Sequence, residues 1–163
     1  LLVETLRDEF EDLFKNNIRL NAIGDVKSLP NEVRYELDNI INNTKDNTGM
    51  TLTLALSYGG KQEIFKAVKE ISEKVKNEII NLDNFDDSII NDHLYTKNLP
   101  DVDLLIRTSG EQRISNFLLW QIAYAELYFT ETYWPDFSEE DFTDAIIEYQ
   151  KRERRFGKTS KQL

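Results

Sequence analysis

The chain has 163 residues, and its 20 lysines and arginines against 30 aspartates and glutamates give a formal net charge of −10 at pH 7. This acidic balance disfavours a general polyanion partner, so nucleic acid is not an expected ligand. With no cysteine and one histidine, the sequence excludes disulfides, thiolate metal sites and multi-histidine metal sites. No apolar run approaches the ~20 residues of a membrane span, so none is predicted.

Strand and helix patterns alternate along the chain. The predicted elements are a helix within residues 1–17, a strand at 18–23, a surface helix at 30–43, a strand at 50–56, a long amphipathic helix from residue 60, a polar segment with one short helix at 81–98, a strand at 103–107, a buried helix at 116–125, a strand at 127–129 and a last helix from residue 138. The alternation predicts a single α/β domain over residues 1–163, with a mainly parallel sheet and flanking helices.

The two amphipathic helices are expected to face the core with regularly spaced apolar residues. In the long helix these are Ile64, Phe65, Val68, Ile71 and Val75. In the last helix they are Phe142, Ile146, Tyr149 and Phe156, after a capping box formed by Ser138 and Asp141.

Two arginines and a serine, at the end of the third predicted strand and just after it, suggest an anion site. Arg107 ends that strand, at the carboxyl edge where open α/β sheets bind ligands. Arg107 and Arg113 each offer a planar fork that fits two phosphate oxygens. Ser115 lies where the next predicted helix begins, so its hydroxyl and nearby N–H groups could join the same anion. The alternative is that Arg107 pairs with Glu111 and Ser115 only caps the helix.

Glu126 is the only acid in the apolar run FLLWQIAYAEL, residues 117–127. A buried unpaired carboxylate is costly, so Glu126 either pairs with an arginine or binds a cation. Mg²⁺ suits the second role, because it takes hard oxygen ligands and bridges carboxylates to phosphates. Residue spacing leaves both alternatives open.

Three other features carry weaker signals. Tyr58-Gly59-Gly60 follows a predicted strand, where paired glycines allow close approach of a ligand but also serve in an ordinary turn. His93 is predicted to be a surface or loop residue without a catalytic partner. A group of aromatic residues is predicted to be core and interface, namely Tyr128, Phe129, Tyr133, Trp134 and Phe137.

Several blocks together resemble the signature of the cis-prenyltransferases, in particular the bacterial enzymes that make undecaprenyl diphosphate. The longest is RTSGEQRISNFLLWQ at residues 107–121, followed by Tyr124-x-Glu126. The supporting blocks are Ile23-Gly24-Asp25, Asn47-Thr48-Gly49, Tyr58-Gly59-Gly60, Trp134-Pro135-Asp136-Phe137 and Arg152-x-Arg154-Arg155-Phe156-Gly157. They occur in the family's order along essentially the whole chain.

The resemblance implies an enzyme that adds isopentenyl diphosphate units in cis to an allylic diphosphate, usually farnesyl diphosphate. It assigns Arg107, Arg113, Ser115 and Gly157 to the diphosphate of isopentenyl diphosphate, and Glu126 to Mg²⁺. It also implies a homodimer. The expected location is the cytoplasm, with a peripheral position at the inner face of the membrane, where the product lies.

The sequence also departs from the family. Ser57, Lys61 and Gln112 stand where many members have asparagine, arginine and histidine. The family's first strand ends in Asp-Gly-Asn-Gly-Arg-Trp, whose aspartate is essential, and a later block binds the allylic substrate; this sequence contains neither. It also opens inside a helical pattern without an initiator methionine. We therefore expect the carboxyl-terminal part of a cis-prenyltransferase, with the amino-terminal strands missing, no catalytic residue and no activity by itself.

Two other hypotheses remain open. Some relatives of this fold act as non-catalytic partner subunits of a cis-prenyltransferase, although the joint presence of Arg107, Arg113, Ser115 and Glu126 argues against that role. A generic phosphate-binding α/β domain fits only if the long block at residues 107–121 is discounted.

Overall fold

The computed structural model describes residues 2–154, without the side chains of residues 2, 3, 6 and 7. The helices are α1 (Leu2–Lys15), α2 (Asn31–Thr44), α3 (Gly60–Lys76), α4 (Asp87–Asn91) and α5 (Glu139–Gln150). The strands are β1 (Arg19–Ile23), β2 (Thr51–Ala55), β3 (Leu104–Arg107) and β4 (Glu126–Phe129). None of the described helices is both long and apolar enough to cross a membrane.

The chain divides into two compact units, Leu1–Asn98 and Leu99–Leu163. In the first unit β1 pairs in parallel with β2, and in the second β3 pairs in parallel with β4. Parallel strands with flanking helices confirm the predicted α/β class. Among the described residues, however, the strands form two separate two-stranded sheets and not one sheet. A single domain over residues 1–163 stays a prediction.

The core of the amino-terminal unit lies between α1, α2 and the β1–β2 sheet. Its fully buried side chains are Leu20, Leu37 and Ile40. Around them pack Phe10, Leu13, Ala22, Val26, Ile41, Leu54 and Leu56. The thin apolar face of α2 predicted a surface helix, yet this helix supplies two of the three central residues.

Thr44, the last residue of α2, makes two buried hydrogen bonds through its side chain. The hydroxyl group is fully buried, accepts the N–H of Leu20 at 3.0 Å and donates to the carbonyl of Ile40 at 2.9 Å. The first of these bonds joins α2 to β1. Without it, the N–H of Leu20 would lose this partner in the core.

Replacing Thr44 with valine is therefore expected to lower the free energy of unfolding by about 1–3 kcal/mol, the usual cost of a buried donor left unsatisfied. Urea unfolding followed by circular dichroism measures this change. Thr143→Val is the matched control, since the Thr143 hydroxyl makes the same bond to a carbonyl four residues back but is exposed. Equal losses in the two variants would contradict the role of Thr44.

The buried side of α3 differs from the predicted one. Ile71 is buried as predicted, but Phe65 and Val68 are 73% and 56% exposed, and Glu63 and Ala67 are buried instead. A period of 3.6 residues allows two overlapping stripes on this helix. Hydrogen bonds to both oxygens of Glu63 offset the burial of its carboxylate, so the helix can turn that stripe inward.

The helix predicted at residues 116–125 is wrong. This segment forms successive turns, and Ser115, Asn116 and Leu118 have φ angles of 53°, 63° and 47°. A helix that is apolar on all sides needs apolar neighbours on all sides. The described part of the carboxyl-terminal unit contains only two short strands and one amphipathic helix. Residues in the left-handed conformation also interrupt helical geometry at the start of the segment.

Helix α5 begins as predicted. The Ser138 hydroxyl oxygen accepts the N–H of Asp141, and the Asp141 carboxylate accepts the N–H of Ser138, which completes the capping box. Hydrogen bonds that the Ser138 hydroxyl and then the Ser138 N–H donate to the carboxylate lower the pKa of Asp141. The fully buried residue of α5 is Ala145, whereas Phe142, predicted to face the core, is 50% exposed.

Candidate functional site

The carboxyl edge of the β3–β4 sheet is built by two loops that bond to each other. Arg107 is the last residue of β3, and its carbonyl accepts the N–H of Thr130 at 3.0 Å. Beyond it, the N–H groups of Ser109 and Gly110 donate to Thr132 and Thr130, each at 2.9 Å. Ser109 and Gly110 have φ angles of 69° and 66°. This turn fixes the backbone that carries Arg107.

A pocket of about 570 Å³ opens at this edge. Arg107 and Arg113 line it together with an apolar wall formed by Ile114, Phe117, Trp134, Phe137 and Phe142. The rings of Trp134 and Phe137 stack with their centroids 6.1 Å apart. Two cations beside an aromatic wall fit a ligand with an anionic head and a hydrocarbon tail.

The two arginines differ in their surroundings. Arg107 is half-buried, and among residues 2–154 no carboxylate pairs with it. Arg113 has a 65% exposed side chain and pairs with Glu111. The alternative pairing of Arg107 with Glu111 is therefore not observed. Arg107 is the better placed of the two to bind an anion, because no protein carboxylate competes for it.

The other two residues assigned to the diphosphate are less well placed or not described. Ser115 is exposed, does not line the pocket and starts no helix, so a helix amino end does not support its role. Gly157, with Arg155 and Phe156, lies outside the described residues. The assignments of Ser115 and Gly157 stay predictions.

Glu126 lies at the opposite edge of the same sheet. It pairs in register with Leu104, while Arg107 pairs with Phe129 three residues further along, about 10 Å away along the strands. The Glu126 carboxylate forms an ion pair with Arg152 at 3.1 Å. The described part of the chain contains no group of three or more His, Asp or Glu side chains that could hold a metal ion.

Of the two alternatives left open for Glu126, pairing with an arginine is thus observed. The described residues do not fit a site in which the protein itself holds Mg²⁺, because the one candidate carboxylate is ion-paired and belongs to no group of three or more His, Asp or Glu side chains that could hold a metal ion. The magnesium role of Glu126 stays a prediction from the family resemblance.

At the carboxyl edge of the β1–β2 sheet, in the amino-terminal unit, the block Ile23-Gly24-Asp25 lies next to the start of the block Tyr58-Gly59-Gly60. Gly24 has a φ of 106°, and any side chain there would overlap the carbonyl oxygen of Leu56. Next to it, the N–H of Asp25 donates to Ser57 at 3.2 Å. The glycine is therefore required by the close approach of the two strand ends.

Sequence reasoning missed the buried carboxylate of Glu63, which is 1% exposed. It accepts the hydroxyl of Tyr58 at 2.6 Å and the N–H of Tyr95 at 2.7 Å, and so supports the Tyr58-Gly59-Gly60 turn. Burial raises the pKa of Tyr95, whose ring also lies 4.7 Å from Nζ of Lys66. The available signal was an acid in the first turn of a helix directly after paired glycines.

His93 was predicted to be a surface or loop residue; it lies in the turn after α4, but it is not on the surface. The side chain is 9% exposed, with Nε2 at 2.7 Å from Nζ of Lys74 and Nδ1 at 2.6 Å from the carbonyl of Ile89. Because the lysine can only donate, Nε2 accepts and Nδ1 donates. His93 thus joins α3 to α4.

The block Asn47-Thr48-Gly49 lies at the amino edge of the β1–β2 sheet, away from the carboxyl edge. Asn47 donates its side-chain amide to Ile18 at 2.7 Å, and the N–H of Gly49 donates to Asn17 at 3.0 Å. Asn17 in turn donates to the hydroxyl of Thr48 at 3.0 Å. These bonds give the block a structural role.

Comparison with known proteins yields consistent matches. A family model described as "Putative undecaprenyl diphosphate synthase" matches residues 1–157. An isoprenyl transferase from Chlorobaculum tepidum is 50% identical over all of this chain and 62% of its own length. A ditrans,polycis-undecaprenyl-diphosphate synthase, (2E,6E)-farnesyl-diphosphate specific, from Haemophilus influenzae is 51% identical over 98% of this chain and 66% of its own length.

Solved structures agree with these matches. Lavandulyl diphosphate synthase from Lavandula x intermedia, in complex with dimethylallyl diphosphate, superposes with a TM-score of 0.91 and 38% identity over 96% of this chain and 68% of that one. A probable undecaprenyl diphosphate synthase from Campylobacter jejuni superposes with a TM-score of 0.80 and 37% identity over 95% of this chain and 70% of that one.

The chain spans 62% of the length of the Chlorobaculum relative and 66% of the Haemophilus relative. Within that span, the chain is 50% and 51% identical to these two relatives, and the family model matches residues 1–157. The chain belongs to the undecaprenyl diphosphate synthase family of prenyltransferases.

Proposed function

We propose that the protein carrying this chain adds isopentenyl diphosphate units in cis to an allylic diphosphate, with farnesyl diphosphate as the primer. The product is undecaprenyl diphosphate, the precursor of a carrier lipid for cell-wall synthesis. The observation that carries this proposal is the pocket at the end of β3, where Arg107 lies beside an aromatic wall. The farnesyl-specific name of the Haemophilus relative supports the primer.

In this proposal Arg107 and Arg113 hold the diphosphate of isopentenyl diphosphate, and the wall that contains Trp134 contacts its hydrocarbon part. Ser115 and Gly157 are proposed as further diphosphate ligands. In the reaction, the carbon–oxygen bond to the primer's diphosphate breaks, the homoallylic double bond attacks the allylic carbon, and a proton is lost. The protein's main task is to hold two substrates in reacting geometry and to stabilise the leaving charge.

The cofactor, the assembly and the location are proposed from the family resemblance alone. They are Mg²⁺, a homodimer and a cytoplasmic protein that lies peripherally at the membrane where its product accumulates. Because the described residues do not by themselves form a magnesium site, no step of the reaction above depends on a protein-held cation.

The direct test is prenyl transfer by the whole protein that contains this sequence. It is incubated with radiolabelled isopentenyl diphosphate, farnesyl diphosphate and MgCl₂, and the products are separated by chain length. We expect a polyprenyl diphosphate. A folded protein that binds isopentenyl diphosphate but forms no product would support the non-catalytic partner subunit instead, and one that binds no diphosphate would contradict both functions.

Arg113 gives a graded prediction. Its side chain is largely exposed and already paired with Glu111, so Arg113→Ala is expected to raise the Michaelis constant for isopentenyl diphosphate only about three- to tenfold. Steady-state kinetics measures this change. Glu111→Gln, which releases Arg113 from its partner, should not raise that constant, and Lys27→Ala controls for the loss of an exposed cation elsewhere. A rise in Glu111→Gln equal to that in Arg113→Ala would contradict the assignment.

A further inference from the structure

Two arginines directly after α5 contact the first residues of the β3–β4 sheet. Nη1 of Arg152 donates to Oε2 of Glu126 at 3.1 Å and to the carbonyl oxygen of Leu127 at 2.9 Å. Nη2 of the same residue donates to Oε1 of Glu148 at 2.8 Å. One guanidinium group thus joins the end of α5 to both a carboxylate and a backbone carbonyl of β4.

Arg154 makes the equivalent connection to the neighbouring strand. Its Nη1 donates to the carboxylate of Asp103, which directly precedes β3, and to the hydroxyl of Tyr149 at 3.1 Å. Asp103 and Glu126 are themselves joined, since the N–H of Glu126 donates to the carbonyl of Asp103 at 2.9 Å. We call Arg152, Arg154, Glu126 and Asp103 the arginine clamp.

The central pair of the clamp is sheltered from water. The side chains of Arg152 and Glu126 are 28% and 26% exposed, compared with 66% and 76% for the surface pair Lys15 and Glu11. The carboxylates of Glu148 and then Glu126 raise the pKa of Arg152 above its ordinary value. Removing one partner would leave a sheltered charge without its counterion, which costs more than breaking an exposed pair.

We propose that the arginine clamp fixes the chain after α5 to the amino edge of the β3–β4 sheet, and that Glu126 is its anchor and not a cation ligand. Two observations argue for this role. Oε2 of Glu126 is occupied by Arg152, and Glu126 lies at the sheet edge opposite to Arg107 and the pocket. Arg152 is then a positioning residue, because it acts on the chain that follows it.

The clamp bears on the proposed function through sequence order. Gly157, which the family resemblance assigns to isopentenyl diphosphate, follows Arg154 by three residues. Where it concerns substrate, the inference rests on the proposed function. Arg152→Gln is then expected to raise the Michaelis constant for isopentenyl diphosphate about three- to tenfold and to change kcat less than twofold.

The test that does not depend on substrate is a double-mutant cycle in the whole protein, with Glu126→Gln, Arg152→Gln and the double variant. Amide hydrogen exchange at residues 151 and 152, whose N–H groups donate to Glu148 and Tyr149, reports on the end of α5. We expect exchange about five- to tenfold faster in each single variant and no faster in the double variant than in Arg152→Gln, since Arg152→Gln already removes the ion pair that Glu126→Gln breaks.

Lys151→Gln is the matched control, because it removes a neighbouring exposed cation outside the clamp, and its exchange should stay within about twofold of the wild type. Additive effects of Glu126→Gln and Arg152→Gln, or exchange unchanged in both, would overturn the clamp.

Binding of Mn²⁺, followed by electron spin resonance with and without isopentenyl diphosphate, tests the second half of the proposal. Glu126→Gln should bind Mn²⁺ as the wild type does, within about twofold, whereas a tenfold loss would make Glu126 a cation ligand and overturn its role as anchor. The two proposals fail separately. If Glu126 and Arg152 are coupled in the exchange experiment but the protein transfers no prenyl group, only the proposed function is contradicted. If the protein transfers prenyl groups but the two residues are not coupled, only the clamp is contradicted.

Discussion

Replacing Arg107 with alanine is expected to weaken the binding of isopentenyl diphosphate about 30- to 100-fold. The guanidinium is half-buried at the end of β3, lines the pocket and has no carboxylate partner among the described residues. Hydrogen bonds to a charged group contribute about 1.5–3 kcal/mol, and 1.4 kcal/mol corresponds to a tenfold change in affinity. A bidentate contact with a diphosphate lies in the upper part of this range. Isothermal titration calorimetry with isopentenyl diphosphate measures the change directly.

A second variant separates charge from geometry at the same position. Arg107→Lys keeps the positive charge but loses the planar fork, so its affinity should lie between those of the wild type and Arg107→Ala. Trp134 in the wall provides an independent fluorescence signal for occupancy of the pocket. If Arg107→Ala bound isopentenyl diphosphate as tightly as Lys27→Ala does, the pocket would not be the diphosphate site.

Replacing Gly24 with alanine is expected to lower the free energy of unfolding by about 3–5 kcal/mol, in the range reached by strained backbone positions and steric overlap. The φ angle of 106° is one that residues with a side chain rarely adopt, and the added methyl group would overlap the backbone carbonyl of Leu56. Because that atom belongs to the backbone at the end of β2, relief requires the two strand ends to separate. Urea unfolding followed by far-ultraviolet circular dichroism measures this difference in the free energy of unfolding.

The neighbouring residue provides the control for Gly24→Ala. Asp25 is exposed, and its side chain makes no capping hydrogen bond, so Asp25→Ala should change the free energy of unfolding by less than about 0.5 kcal/mol. If the free energy of unfolding of Gly24→Ala were within about 1 kcal/mol of the wild-type value, close to the effect of an ordinary surface substitution, the strand ends would not approach as closely as the structure shows.

Elements with a strong local signal were predictable. The four strands of the described residues lie within one or two residues of their predicted positions, because their short length and flanking turn residues distinguish such apolar runs from helices. The capping box at Ser138 was equally local, since both of its hydrogen bonds join residues three apart. The segment 116–125 was not predictable, because its apolar composition favours a buried helix only where neighbours can surround it.

The candidate site divides in the same way. The position of Arg107 at a carboxyl strand edge followed from the order of strand and loop. The ion pair of Arg113 with Glu111, the exposure of Ser115 and the pairing of Glu126 with Arg152 did not follow from it. Glu126 and Arg152 are 26 residues apart, and spacing along the chain does not report contacts over such a separation.

The family, the α/β class, the parallel strands and the arginine at the end of β3 follow from the amino-acid sequence alone, because they depend on local pattern and on motifs read in order. The folded arrangement sets which of two helical stripes α3 buries and which arginine pairs with which carboxylate. It also places Arg107 and Glu126 at opposite edges of one sheet. Such choices depend on the register between strands and on burial, which are set when segments distant in the sequence pack together.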